Sequence, residues 1–471
     1  MSELCFTPAT ELAKRIAARE LSPVELVDAV LDRIEELQPR LNAFCLLRPE
    51  EARKEARAAE STEPRGPLHG IPVSIKDLTS TRGIRTTFGS KAYADNVPDV
   101  DATFVTRLRE AGAILIGKTN TPEFGNKGVT DSPLHGTTAN PWSLDRTAGG
   151  SSGGAAAAVA AGLGPLAEGS DGAGSIRIPA SFCGVVGLKP SFGRVPMYPR
   201  NGYHTISHHG PLTRTVADAA LMLSVMAGPD QRDPHIRTDR PADYAAAVAG
   251  ADIAGWTIGF SPDLGHLPVE PGVADIVARA VRAFEDLGAN VEDAPALPDA
   301  REPMTVIWRV VFEAIARTQV APRVGPDDMD PHLRELAEHG ERIDAAAYYD
   351  AVSLFRIALY HELEMLMGRY RLLVSPTLAV PPFHHPEHGR PGPETVAGEQ
   401  VNPFLGWLLT YHFNLTGQPA ISVPGGYTRD GLPVGLQIVG RPGADEDVLR
   451  AAAAFEAATG FPERRPPLSG D

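Results

Sequence analysis

Cysteine is nearly absent. Cys5, Cys45 and Cys183 are odd in number and widely spaced, which leaves neither a disulfide framework nor a zinc-ligand pattern and fits a reducing compartment. No run of about 18 strongly apolar residues occurs; the Ala/Gly stretch at 153–167 is short and weakly hydrophobic. A membrane-spanning helix is therefore not expected. A secretory signal core is missing too, because Glu3, Glu11, Lys14 and Arg15 put charge into the first turns. The expected location is cytoplasmic. Basic excess is also lacking: 44 Lys and Arg stand against 59 Asp and Glu, a formal net charge of −15. Nucleic acid and anionic membranes reward the opposite sign, so neither is an expected partner. No fixed-period repeat is visible.

What is present reads as a globular protein with a large core: 471 residues, 43% hydrophobic and 22% charged. Residues 7 to 60 predict helices. Thr7-Pro8 and Ser22-Pro23 are cap-plus-proline starts, and Ser22 with Glu25 makes a capping box. Leu26, Val27, Val30, Leu31, Ile34 and Leu37 follow at helical spacing. Gly70 to Asp77 changes period: Ile71, Val73 and Ile75 point one way, Ser74 and Lys76 the other, and Pro72 confines itself to a strand start. Taken alone, Lys76 reads as a surface lysine, since lysine is seldom fully buried unless paired.

Helices and strands then alternate. A capped helix is expected from Asp101 to Ala111, a strand at Ile114 to Ile116, and a helix from Thr215 to Ala227 with a Thr215/Asp218 cap. A strand at Thr257 to Phe260, a helix from Val273 to Leu287 and a strand at Leu372 to Val374 follow. Ile421 to Pro424 pairs with Val434 to Val439 across the Asp430-Gly431 turn, and the last helix runs from Asp445 to Ala457. The pattern predicts an α/β fold, a mixed sheet covered by helices. Residues 229–250 and 378–400 read as long loops, and 301–368 as a solvated helical insert rather than a lid.

The chemistry gathers at two serine turns set in glycine, Gly149-Gly150-Ser151-Ser152-Gly153-Gly154 and Gly172-Ala173-Gly174-Ser175-Ile176-Arg177. Glycine permits positive φ and close backbone approach, which exposes a serine hydroxyl on a sharp turn. A flexible linker is excluded by the helix-forming alanines that follow at once. A phosphate-binding loop fails because no lysine follows Gly153 or Gly154. A nucleophile elbow of the α/β-hydrolase type fits Gly149 to Gly153 with Ser151 at its centre. His361, His384, His385 and His412 are then candidate partners, but this leaves Lys76 and the second serine turn unused. The segment from His384 to His388 reads as a solvated loop rather than a metal cluster, and His361-Glu362 fails as H-E-x-x-H because Met365 holds the second histidine position. Asn414-Leu415-Thr416 is a glycosylation sequon, without meaning in a cytoplasmic chain. Cys183 reads as packing.

A third reading uses every feature. Gly70 to Asp77, Gly149 to Gly154, Ser170 to Arg177, Phe182 to Pro190, Phe413 to Ala420 and Gly431 to Gly440 together resemble the amidase signature family, in order and with family-like spacing. The resemblance implies the amidase signature fold, with a large central mixed β-sheet covered by helices on both faces. It implies one domain over 1–471, with N-terminal helices at 7–60, a catalytic core at about 65–228 and a variable helical and loop insert at about 229–400. It further implies a Ser–cis-Ser–Lys triad: Ser175 as nucleophile, Ser151 as relay with a cis bond to Gly150, and Lys76 as base. Gly172, Ala173, Gly174 and Ser175 are implied as the oxyanion hole, with Ala173 where the family usually has glycine. Ser152, Asp171 and Arg177 are implied as support, and Phe124, Gly125, Asn126 and Lys127 as the substrate-binding loop.

The activity expected from this resemblance is amide C–N hydrolysis through an acyl-enzyme, without metal or organic cofactor. The substrate is a small-molecule amide, with carbamates (urethanes) or esters as extensions; a homodimer is one assembly open to the chain. The family also holds the glutaminase component of tRNA-dependent amidotransferases. That component reads towards a Ser-Leu-Asp-Gln-like run after the core, where this chain has Tyr203-His204-Thr205-Ile206-Ser207-His208-His209-Gly210-Pro211. A stand-alone hydrolase is the expectation.

Overall fold

The structure, a computed structural model, describes residues 2–200, 202, 205–297, 310–386 and 389–468. Tyr203, His204, Glu387, His388 and the start of the 301–368 helical prediction lie outside them. The expected architecture is present: eleven strands form one mixed sheet. In chain order these are β1 (Phe44–Leu47), β2 (Pro72–Lys76), β3 (Ile114–Thr119), β4 (Leu166–Asp171), β5 (Val186–Lys189) and β6 (His208–Thr213). There follow β7 (Thr257–Phe260), β8 (Asn290–Asp293), β9 (Leu372–Pro376), β10 (Ala420–Tyr427) and β11 (Pro433–Gly440). Their spatial order is β1-β3-β2-β4-β6-β5-β10-β11-β9-β7-β8.

Side chains alternate across this sheet with period two, and each face buries its own core. On one face Ile421, Val423, Leu436, Ile438 and Val374 join the helices Val216–Met226, Pro271–Asp286 and Asp445–Thr459. On the other, Ala420, Val439 and Leu373 join Phe182, Phe312, Leu333, Leu363 and Trp407. The region from 310 to 370 is therefore not a solvated insert. Its inner side packs on the sheet, because its apolar residues recur at helical spacing. The span 229–400 also supplies three strands of the sheet, β7, β8 and β9.

Several local predictions shift for identifiable reasons. Thr7 does not cap its helix; the chain enters Ala9–Ala17 through Pro8 without a side-chain cap, and Asp218 instead takes the Ala9 and Thr10 N–H groups at 2.8 Å each. The 101–111 helix runs Thr103–Glu110 without a side-chain cap, since the Asp101 carboxylate accepts from the Arg82 N–H at 2.7 Å. Ser22 does cap Pro23–Leu41, accepting from the N–H groups of Val24 and Glu25, a contribution of about 1 kcal/mol. Strand β1 interrupts the helices expected at 7–60, and the other predicted caps, strands and hairpin are in place.

Candidate active site

Strand register brings three chain ends together. β2 and β4 run parallel, pairing Val73 with Leu166 and Ser74 with Ala167, so their carboxyl ends are neighbours. β6 runs antiparallel to β4, setting His208 opposite Asp171 and His209 opposite Ser170. The carboxyl ends of parallel strands are where open α/β sheets hold ligands. Lys76 is the last residue of β2, Ser170 and Asp171 the last two of β4, and His208 and His209 the first two of β6.

The first serine turn is pinned before its helix begins. Gly149 holds φ at 77°, and the Thr130 hydroxyl donates to the Gly149 carbonyl at 2.8 Å while accepting from the Gly153 N–H at 3.1 Å. The Gly150–Ser151 peptide bond is cis, as the resemblance implied. The helix Gly153–Ala160 is buried on every side, as befits one apolar all round. In the second turn Gly174 takes φ 128°, while Ala173 keeps an ordinary negative-φ backbone and replaces glycine without strain. The two turns are joined directly by the Ser152 N–H, which donates to the Ser175 carbonyl at 3.1 Å.

Lys76 is 0% exposed, so the surface-lysine reading fails. Its Nζ lies 2.7 Å from Ser151 Oγ, 2.8 Å from Ser152 Oγ and 3.0 Å from Ser170 Oγ. No carboxylate among the described residues forms an ion pair with it. Burial pushes its pKa down to about 7, against the opposing pull of Glu168 and Asp171. An amine in this state can accept a proton near neutral pH, and a hydroxyl that donates and accepts at once can deliver it. Ser151 thus meets an amine rather than the imidazole that an α/β-hydrolase elbow requires. His361 and His384 stand well away, at the surface and beside Asp145 respectively.

Asp171 and Arg177 form the frame beneath the second turn. Both are 0% exposed. The carboxylate accepts from the Gly174 N–H at 2.7 Å, the Ile176 N–H at 3.2 Å and two nitrogens of Arg177 at 3.0 Å. Burial pushes this carboxyl up, but the Arg177 guanidinium and the Asn414 amide outweigh it and hold the group well below the usual range. Asn414, which the sequence presents as a sequon, donates to both Asp171 and its carbonyl at 2.8 Å. One oxyanion-hole expectation changes here. The Gly174 N–H is committed to Asp171, whereas the N–H groups of Gly172, Ala173 and Ser175 have no acceptor among the described residues.

Ser151 and Ser175 open onto one cavity of about 300 Å³. Of the four loop residues expected to bind substrate, Phe124 and Gly125 line it, and Gly125 passes so near the first serine turn that an added Cβ would sit 3.1 Å from Ser151 Oγ. Asn126 and Lys127 turn away. The Lys127 ammonium is buried between Asp131 at 2.5 Å and Asp330 at 2.7 Å, and Asn126 Nδ2 also faces Asp330. Lysine at such depth needs counter-charges, and Asp330 lies too far along the chain for sequence reading to pair them. The cavity's other walls were not anticipated. Phe88 and Tyr93 pack with Phe124 at centroid distances of 6.0 and 5.8 Å, and Phe312, Ile315 and Val320 come from the 310–370 region. Cys183 is packing, its thiol buried against the Ala148 carbonyl at 3.5 Å and its pKa pushed up by that burial.

The sequence model of the Amidase family matches residues 25–449. The chain belongs to the amidase family. It is 43% identical over 472 residues to an acylamidase of Rhodococcus erythropolis, across 98% of both chains. It is also 38% identical over 496 residues to a glutamyl-tRNA(Gln) amidotransferase subunit of Moorella thermoacetica, across 99% of both. Among solved structures, a bacterial aryl acylamidase of the amidase signature enzymes superposes with a TM-score of 0.91 at 36% identity, covering 98% of this chain and 99% of that one. As an amidase, this protein is a hydrolase of amide C–N bonds. Among the described residues no helix is long and apolar enough to cross a membrane.

Proposed function

We propose that this amidase works through an acyl-enzyme on Ser175, with Ser151 as proton relay and Lys76 as base. One observation carries the reading: a fully buried amine with three serine hydroxyls around it and, among the described residues, no carboxylate in ion-pair contact. Serine is a weak nucleophile until an adjacent base takes its proton. Lys76, neutral, draws the Ser175 proton through Ser151 as Ser175 Oγ bonds to the amide carbon. The N–H groups of Gly172, Ala173 and Ser175 receive the negative oxygen, each donor worth about 3–4 kcal/mol in comparable sites. The C–N bond then breaks, the amine leaves with the proton returned through Ser151, and water releases the acid from Ser175 by the same route. Ser152, Asp171 and Arg177 hold the two turns in place.

The substrates we propose are acyl and aryl-acyl amides, with carbamates and esters as slower candidates. The ring cluster of Phe88, Tyr93 and Phe124 supports an apolar or aromatic group in the cavity, as does similarity to an aryl acylamidase. Three unpaired cysteines fit a cytoplasmic setting. A fluorophosphonate probe followed by peptide mapping tests the nucleophile. An adduct on Ser175 is expected; one on Ser151 overturns the assignment.

The 38% identity to an amidotransferase component favours one second reading, a glutaminase working within an assembly. Purified protein assayed alone on anilides, carbamates and glutamine separates the two. Turnover of glutamine only, or only with a partner, defeats the stand-alone reading. The assembly we propose is a homodimer through residues 345–369, where Tyr348, Tyr349, Leu354, Phe355, Ile357 and Met365 are exposed. Sedimentation velocity showing a monomer at micromolar concentration would reject it.

A further inference from the structure

Beside the acyl-transfer groups the cavity wall carries His209, with the Glu168 carboxylate behind it. Glu168, 0% exposed, accepts from the Lys76 N–H at 3.1 Å and from the Thr79 hydroxyl at 3.0 Å on Oε2. Its Oε1 lies 2.8 Å from His209 Nδ1. A carboxylate only accepts, so Nδ1 carries a proton, and in the neutral imidazole this tautomer presents a lone pair on Nε2. Phe104 packs on the ring at a centroid distance of 4.6 Å. His209 lines the same cavity as Ser151 and Ser175. Its Nε2 has no hydrogen-bond partner among the described residues and is not among the buried unpartnered atoms, which leaves it open to the space His209 lines: this cavity and the adjoining one bounded by Phe104, Tyr198 and Arg200.

We propose that His209 is a substrate-contacting specificity residue, whose Nε2, fixed as an acceptor by Glu168, selects amides carrying a hydroxyl or N–H donor on the group bound in the cavity. This deepens the amidase reading of the site and rests on it. Sites built to hydrogen-bond a substrate group reject the analogue lacking it, because the protein's own polar atom is then left unpaired.

The test uses full-length protein and acetanilides bearing hydroxyl, methoxy or methyl at the ortho, meta or para position. Binding is measured by calorimetry on Ser175→Ala protein, and kcat/KM on the intact enzyme. At one ring position the hydroxyl compound is expected to bind at least ~10-fold more tightly than its methyl twin. That preference should vanish in His209→Phe and survive in His209→Gln, whose carboxamide oxygen still accepts. Glu168→Gln presents an amide N–H to Nδ1, moves the ring proton to Nε2, and should turn the preference toward methoxy. No hydroxyl preference at any position, no binding by any compound, or a preference unchanged in His209→Phe overturns the proposal. Selective binding without turnover of any anilide would instead count against the acyl-transfer reading and leave this one standing.

Discussion

The most direct handle on the site is the charge of Lys76. Burial sets its pKa at about 7, while Glu168 and Asp171 pull upward. The sign is that of a cation whose charged form is disfavoured: the base is competent above that pKa and lost below it. kcat/KM on a neutral anilide should therefore rise tenfold per pH unit on the acid side and level off above pH 7, so that the rate at pH 5 is about 1% of the plateau. A lysine at its ordinary value near 10.4 would instead give a profile still climbing at pH 9. Glu168→Gln removes the stronger of the two opposing carboxylates and should move the acid limb to lower pH, whatever it does to the plateau. The assay is a pH–rate series at constant ionic strength with substrate well below KM, using an uncharged substrate so that only the enzyme titrates. A flat profile from pH 5 to 9, or a limb that Glu168→Gln moves toward higher pH, would refute the neutral-amine argument.

Other outcomes follow from the same geometry. Ser175→Ala should abolish turnover, and Lys76→Ala and Ser151→Ala should each reduce kcat by several orders of magnitude, measured with folding checked by circular dichroism. Gly174→Ala should lose at least ~100-fold in kcat, because φ there is 128° and a Cβ runs into the Thr410 hydroxyl; Gly172→Ala, with open space at its Cβ, should stay within a few-fold. Equal effects of the two would contradict this. Arg177→Ala leaves the Asp171 carboxylate buried without its guanidinium and should cost about 3–5 kcal/mol in urea unfolding. Lys127→Met breaks the pairing with Asp131 and Asp330 and should speed limited proteolysis between 310 and 370. An unchanged cleavage rate would mean that the pairing does not anchor that region.

What the sequence made legible is what local backbone grammar encodes. Glycines around Ser151 and Ser175 mark turns, and the alanine run after Ser152 marks a helix. Alternation from Ile71 to Lys76 places the lysine at a strand end. The buried state of Lys76 was not legible, because a lone lysine looks solvated until its hydroxyl neighbours converge from β4 and the first serine turn. Phe312, Ile315 and Val320 read as ordinary helical core positions, since nothing in their spacing reveals that the covered surface is a cavity. Asn414 reads as a sequon until Asp171 is placed beside it. Glu168 and His209 meet only through the antiparallel register of β4 and β6, a long-range fact with no sequence signature.

The division has a functional consequence. The acyl-transfer groups we propose come from 76, 151–152 and 170–177, a region braced by buried, fully engaged groups such as Asp171, Arg177 and Asn414. The cavity walls come from separate elements: the loop at 88–93, the turn Glu123–Gly125, the start of β6 and the helices beyond 310. Substitutions in those walls can reshape binding while leaving the Lys76 pKa where burial sets it. Glu168 is the exception, since its carboxylate holds the Lys76 N–H with one oxygen and the His209 ring with the other. A change in what His209 touches is therefore felt by the same carboxylate that opposes neutralisation of the base. Selectivity and base strength are coupled through that single buried charge and are otherwise separable.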